Sequence, residues 1–161
     1  MDGGLNTYTY VNNSPIINYD LFGLITWTGT QTTVAAGEGG GAVRFEFNLE
    51  SDCVDGKKAK VEIVAGGTML TAGAPISLTH SRGVEFTDSR TRLDPMVFHG
   101  EAKYAYASYA LLPAGASYQW IKLGDAESIG GGFQQGWDAS IAVGAGISTV
   151  TKIEIVECCE K

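Results

Sequence analysis

Val43-Arg44-Phe45-Glu46-Phe47-Asn48-Leu49-Glu50 alternates without a break between apolar and polar side chains. Successive side chains of a strand point to opposite faces. Val43, Phe45, Phe47 and Leu49 therefore line one face, and Arg44, Glu46, Asn48 and Glu50 the other. Such a strand has one side in a core and one in water, as in antiparallel sheet.

The same period recurs outward from this stretch. Ala59, Val61 and Ile63 alternate with Lys58, Lys60 and Glu62. Tyr104 and Tyr106 alternate with Lys103, Ala105 and Ala107, and Ile153 and Ile155 with Lys152 and Glu154. No long window has a clean helical period, and glycine is frequent, 22 of 161 residues. The reading is all-β, with about eight antiparallel strands. They are expected near 25–34, 42–50, 58–65, 75–87, 97–109, 116–123, 137–143 and 147–157. Short connections imply antiparallel neighbours, so the simplest topology is an up-and-down meander, a closed barrel rather than a sandwich.

The connections fall into two kinds. Val34–Ala42, Val64–Ala74, Ala110–Ala116 and Ala142–Ile147 are small and apolar, with Glu38 their only charge. Ser51–Lys58, Thr87–Pro95 and Gly124–Gly136 are charged or polar. In a meander every second connection lies at the same end, which predicts one apolar pole and one charged pole holding both barrel termini. The apolar pole nominates Val34, Met69, Leu70, Leu111, Leu112, Val143 and Ile147 for contact with a membrane or partner. The competing reading is that the Gly/Ala stretches continue the strands, since glycine within strands marks bulges and barrel corners.

The length suits one domain with a core. A net charge of −7 argues against a nucleic-acid partner, because phosphate binding needs a basic surface. No window approaches the roughly 18 apolar residues of a membrane-spanning helix, and the first residues lack a signal-peptide apolar region. The cysteines are Cys53, Cys158 and Cys159, without zinc-site spacing. The charged pole brings Cys53 near Cys158, so a disulfide and a set of reduced thiols are both consistent with the sequence.

Chemical side chains are densest from His80 to Glu101: His80, Arg82, Glu85, Asp88, Arg90, Arg92, Asp94, His99 and Glu101. Nothing in their spacing selects a reaction. There is no H-E-x-x-H, G-x-S-x-G or Walker pattern, and Gly37–Gly41 lacks the G-K-[ST] ending of a phosphate loop. No catalytic residue, metal ligand or cofactor is assigned. An enzyme would place its site here or at the charged pole, with Glu85, His99 or Glu101 essential. A ligand-binding barrel would instead use Trp27, Trp120, Trp137 and the tyrosines.

One further stretch has a different texture. Asn12-Asn13-Ser14-Pro15 is a turn cluster, and Asp20-Leu21-Phe22-Gly23-Leu24 closes the segment that follows it. Together with Tyr8-Thr9-Tyr10-Val11 and Asp2-Gly3-Gly4-Leu5-Asn6-Thr7, these residues resemble the end of the Rhs repeat-associated core, with Leu21 where that family has Pro. The resemblance covers about the first 24 residues. It implies a core remnant over 1–24, a processing junction at Asp20, Gly23 and Leu24, and a toxin domain over 25–161. It further implies an effector held in an Rhs shell before release, secreted and delivered into a target bacterium, with a cognate immunity protein as partner. Combined with the apolar pole, the expectation is action on the target-cell membrane by pore formation or depolarisation. Enzymatic action in the cytoplasm, of nuclease or ADP-ribosyltransferase type, is the alternative.

Overall fold

Alternation over so many segments has one economical outcome, a sheet that closes on itself and leaves no edge. The computed structural model describes residues 24–72, 76–111, 114–134 and 138–158. The strands are β1 (Ile25–Ser51), β2 (Lys57–Ala72), β3 (Ile76–Asp88), β4 (Gly100–Leu111), β5 (Ala114–Leu123), β6 (Ala126–Gln134) and β7 (Asp138–Glu157). β1 doubles back around Gly37–Gly41. Its first half pairs with β3 and its second with β2, and the halves lie side by side, with the Asp52 N–H donating to the Thr26 carbonyl at 2.9 Å. The wall is thus a closed antiparallel barrel of eight passes in the ring order β1-β2-β7-β4-β5-β6-β3. The chain meanders through β1–β2 and β4–β5–β6, and β3 and β7 are laid in out of sequence order.

All passes are antiparallel, so the connections alternate between two ends. We call lower the end holding Ile25, the turn between β1 and β2, the segment from β3 to β4, and Glu157. The lower β1–β2 turn is Asp55-Gly56, with φ of 51° and 74°. Aspartate and glycine are the residues that reach this left-handed region at least cost in a two-residue hairpin.

Two expected connections are strand. β2 runs on through Ala72, and Ala142–Ile147 lies inside β7, paired with both β2 and β4. The glycines bend the wall without ending it. A Cβ on Gly67 would sit 2.1 Å from the Ala145 carbonyl oxygen, and one on Gly146 2.0 Å from that of Gly66. The strands approach there more closely than any side chain permits, as at a barrel corner. Conversely, Gly124–Gly136, expected to be one polar loop, is a tight turn at Gly124-Asp125 followed by β6. That strand pairs with β5 from Leu123↔Ala126 to Gly115↔Gln134. Its Gly130-Gly131-Gly132 run hid it.

The core fills the lower half. A 3-10 turn, Pro95–Phe98, N-capped by Asp94, plugs the lower end with Val97 and Phe98 fully buried. The strand expected from residue 97 therefore starts only at Gly100, because Pro95 fixes a helical φ and the cap follows it. Above the plug aromatic rings climb the barrel. Phe98 meets Trp27 and Phe86 at centroid distances of 5.1 and 5.6 Å, Phe86 meets Phe47 at 5.3 Å, and Phe47 stacks on Phe45 at 5.9 Å. Phe45 meets Tyr104 at 5.1 Å, where the series ends. Such edge contacts each add about 0.5–1.5 kcal/mol beyond the area they bury.

Candidate functional site

Above Tyr104 the interior changes character. Gln31, almost fully buried, and Gln119 exchange side-chain hydrogen bonds of 3.3 and 3.1 Å, from β1 to the non-adjacent β5 across the lumen. Thr33, Ser81, Tyr106, Ser117 and Ser128 line the same space. The Tyr104 hydroxyl marks the boundary, donating to the Thr68 carbonyl at 2.7 Å. Its ring passes over Gly144, where a Cβ would lie 2.4 Å from the ring carbons.

The outer face changes at the same level. Ascending each strand toward mid-height, the charged residues, which resume only with Glu38 and Asp138 at the upper end, stop at Arg44 on β1, Glu62 on β2, Arg82 on β3, Lys103 on β4, Lys122 on β5, Glu127 on β6 and Lys152 on β7. Below them the wall is dressed with ion pairs, among them Arg44–Glu46, Lys60–Glu50, Lys103–Glu101 and Lys152–Glu62. Exposed pairs of this kind contribute little to stability. Above them the described outward side chains include no Asp, Glu, Lys or Arg, and His80 bonds Thr32 at 3.0 Å. Val34, Leu70, Tyr118, Ile129, Ile141, Val143 and Ile147 are exposed, Leu70 by 68%. Leu70 and Val143 are direct cross-strand partners, and Ala105 stands opposite Val143 on its other side. By sequence, Glu38 and Asp138 are the only charges at the upper end.

The lower half is therefore apolar within and mainly charged without, apart from the exposed Ile153 and Ile155 on β7; the upper half is uncharged within, polar at Gln31, Thr33, Ser117 and Gln119 and apolar at Ala35, Met69 and Ala142, and apolar without. Of the nominated contact residues, Val34, Leu70, Val143 and Ile147 lie on this outer belt. Met69 does not. It is 6% exposed and points into the lumen, one position out of phase with Leu70. The side chain of Leu111 and all of Leu112 lie outside the described residues. Asp20 and Gly23 do as well, and Leu24 is the first described residue, partly exposed beside the start of β1.

The barrel wall has a weak seam. β3 and β6 share a single rung, Thr87↔Glu127, whereas β5 and β6 pair along their whole length. Above that rung the two strands diverge and leave a cleft of about 870 Å³, lined by His80–Glu85 on one side and Ser128–Gly131 on the other.

The chemical side chains between His80 and Glu101 are not gathered into one site. His80, Arg82 and Glu85 follow the β3 edge of the cleft. Glu101 pairs with Lys103 on the outer wall, and His99 is exposed below it. Asp88, Arg90 and Asp94 form a knot at the lower end, where Arg90 bridges Asp94 and Asp125. Asp88 accepts from the Arg90 N–H at 2.9 Å, and burial raises its carboxyl above the ordinary value. Among the described residues no group of three His, Cys, Asp or Glu could hold a metal ion. Trp27 is core and Trp120 is on the outer wall bonded to Glu127, so they share no ligand site; Trp137 lies outside the described residues.

Cys53 and Cys158 are joined by a disulfide at the lower end, with Cα atoms 6.1 Å apart. No family model, curated protein or solved structure matches the chain.

The inverted upper interior had a sequence signal that alternation alone does not flag. Gln31 and Thr33 are in phase with Ile25 and Trp27, and Ser117 and Gln119 with Ile121 and Leu123. Following one phase along each strand reveals the change from apolar to polar.

Proposed function

We propose that this barrel is a membrane-acting effector domain that seats its upper half in the bilayer of a target cell. The observation that carries the reading is the reversal of polarity at one level of the wall. An apolar exterior around an uncharged interior that holds polar groups such as Gln31, Thr33, Ser117 and Gln119 is the arrangement of a barrel whose surroundings are lipid. No helix among the described residues is long and apolar enough to cross a membrane.

The belt has a definite depth. On β2 it runs from Gly66 to Ala72, about 17 Å of height for strands tilted as in small barrels. That is close to half of a hydrocarbon core of about 30 Å, so the belt suits one leaflet. Arg44, Arg82, Lys103 and Lys122 would then lie at headgroup level. The Cys53–Cys158 bridge fits action from an oxidising compartment such as the periplasm. The likeness of residues 1–24 to an Rhs core end supplies the delivery, the processing junction, the Rhs shell and the cognate immunity protein.

The test is flotation and dye release with the purified chain on vesicles containing anionic lipid. Wild type should float with the vesicles and release dye. Leu70→Asp with Val143→Asp should abolish both while leaving the far-ultraviolet spectrum unchanged, because a charge on a lipid-facing strand costs up to about 2–4 kcal/mol. His99→Ala and Glu101→Ala should leave both intact. Wild type that neither floats nor releases dye overturns the reading.

A further inference from the structure

We infer that the β3–β6 seam is where the barrel opens on a membrane to pair with a second copy of itself. The inference rests on the membrane reading and adds a partner and a place to it.

Every other neighbouring pair of named strands in the ring is held by a long ladder. The β2–β7 ladder runs from Lys57↔Glu157 to Ala72↔Ile141, and the β4–β5 ladder from Ala102↔Leu123 to Leu111↔Ala114. β3 and β6 are joined at Thr87↔Glu127 alone. Above it, among the described residues, the β6-facing edge of β3 from His80 to Phe86 has no ladder partner. The facing edge of β6 from Ser128 to Gly131 has none either. In water these backbone groups are solvated through the cleft. In hydrocarbon no such partner exists, and an open sheet edge is not tolerated. The β6 edge lies at the level of the outer belt, with Ile129 exposed on it, and the β3 edge enters the belt at His80 and Ser81, above Arg82. Seating the belt therefore removes the water that satisfies the upper part of each edge.

A second copy supplies the missing partner. The two edges already recognise one another in register and antiparallel sense, as the Thr87↔Glu127 rung shows. A contact made within one chain can be made between two. With both copies upright, β3 of one copy meets β6 of the next, and β3 of that copy meets β6 of the first. The contact closes after two copies. It also answers a size difficulty. Eight passes enclose only side chains, whereas about sixteen enclose water. The belt is shallower than a whole bilayer, which the lipid meets by local thinning.

The register makes the test specific. Continuing Thr87↔Glu127 by two residues sets Glu85 opposite Ile129, both outward. Cys159 is first replaced by serine. Thr87→Cys with Glu127→Cys then staples the seam within one chain, since directly opposed residues lie within disulfide reach. The stapled protein should float with vesicles like wild type but release dye at least about tenfold more slowly, since its edges stay unpaired. Reductant should restore release, with reduced wild type measured alongside. Separately, Glu85→Cys protein mixed with Ile129→Cys protein should form a mixed-disulfide dimer on vesicles and none in solution. A stapled protein that floats and leaks as wild type, or a mixture that leaks without that dimer, overturns the seam while leaving the membrane reading standing. A wild type that does not float removes both.

Discussion

The two halves of this barrel are made from the same strands yet follow opposite rules. On the second half of β1, Phe47 and Phe45 point inward and Glu46 outward; a few residues along the same pass, Val43 is the last large apolar residue inside and Ala42 replaces charge outside. On β5, Ile121 and Leu123 are buried, and Gln119 and Ser117 continue their phase into the polar lumen. β5 keeps its alternation and exchanges its sign at mid-height, whereas β2 stays apolar within up to Met69 and loses only its outer charges. The difference teaches that the packed aromatic core sits in the lower half, and on the membrane proposal the upper half carries the contact surface. If so, perturbing the two interiors should have unequal consequences.

The largest effect is expected from the lower core. Phe86 touches both Phe47 and Phe98, and Phe86→Ala should destabilise the barrel by about 3–5 kcal/mol in urea titrations followed by tryptophan fluorescence. The matching upper change, Gln31→Leu with Gln119→Leu, removes both partners of the mutual hydrogen bonds at once and takes from the Thr33 hydroxyl only the bond it accepts from Gln31 at 2.8 Å. It should change stability by no more than about 1 kcal/mol. Equal losses in the two variants would mean that the halves are one cooperative core, and the division drawn here would fail.

The next effect is at the lower end alone. The Cys53–Cys158 bridge closes a separation of 105 residues and ties the β1–β2 turn to the end of β7. Cys53→Ser with Cys158→Ser should lower stability by roughly 2–5 kcal/mol. Flotation at saturating vesicle concentration should be unchanged, because the bridge lies outside the belt. Loss of flotation at a denaturant-free stability still above zero would tie the bridge to the membrane surface and blur the comparison.

The barrel was legible from residues such as Val43–Glu50, because a half-buried strand writes its environment into every second position. The ring order was not, because alternation carries no information about which strand lies beside which; β3 and β7 take places set by contacts distant in sequence. β6 was missed because Gly130–Gly132 has no side chains to alternate, and β7 was split because Ala142–Ile147 is small. Met69 and Leu70 were nominated together although adjacent strand residues must face opposite ways, which parity alone could have resolved. The contact belt was half legible. Its apolar residues stand out in the sequence, whereas the seam and the Gln31–Gln119 bond across the lumen depend on closure of the wall.

The smallest expected effect concerns Asp88, the only fully buried acidic residue among those described, at the foot of β3 beneath the lower core. One carboxylate oxygen accepts from the Arg90 N–H, and the other is buried without a partner. Burial raises the carboxyl above its ordinary value, with the Arg90 backbone hydrogen bond acting the other way. The folded protein therefore retains a proton at pH values where the unfolded chain has lost it. The stability this proton confers is complete below the unfolded value of about 4 and declines as pH rises through the folded value. Asp88→Asn keeps an acceptor for Arg90 and abolishes the ionisation. The variant should melt slightly above wild type at neutral pH, and the gap should close as pH falls below about 4. A variant that melts below wild type at neutral pH would show that the carboxylate is held by its Arg90 contacts more than it is burdened by burial. The foot of β3 would then be an ionic anchor, and the seam above it would begin from a fixed charge instead of from the apolar core.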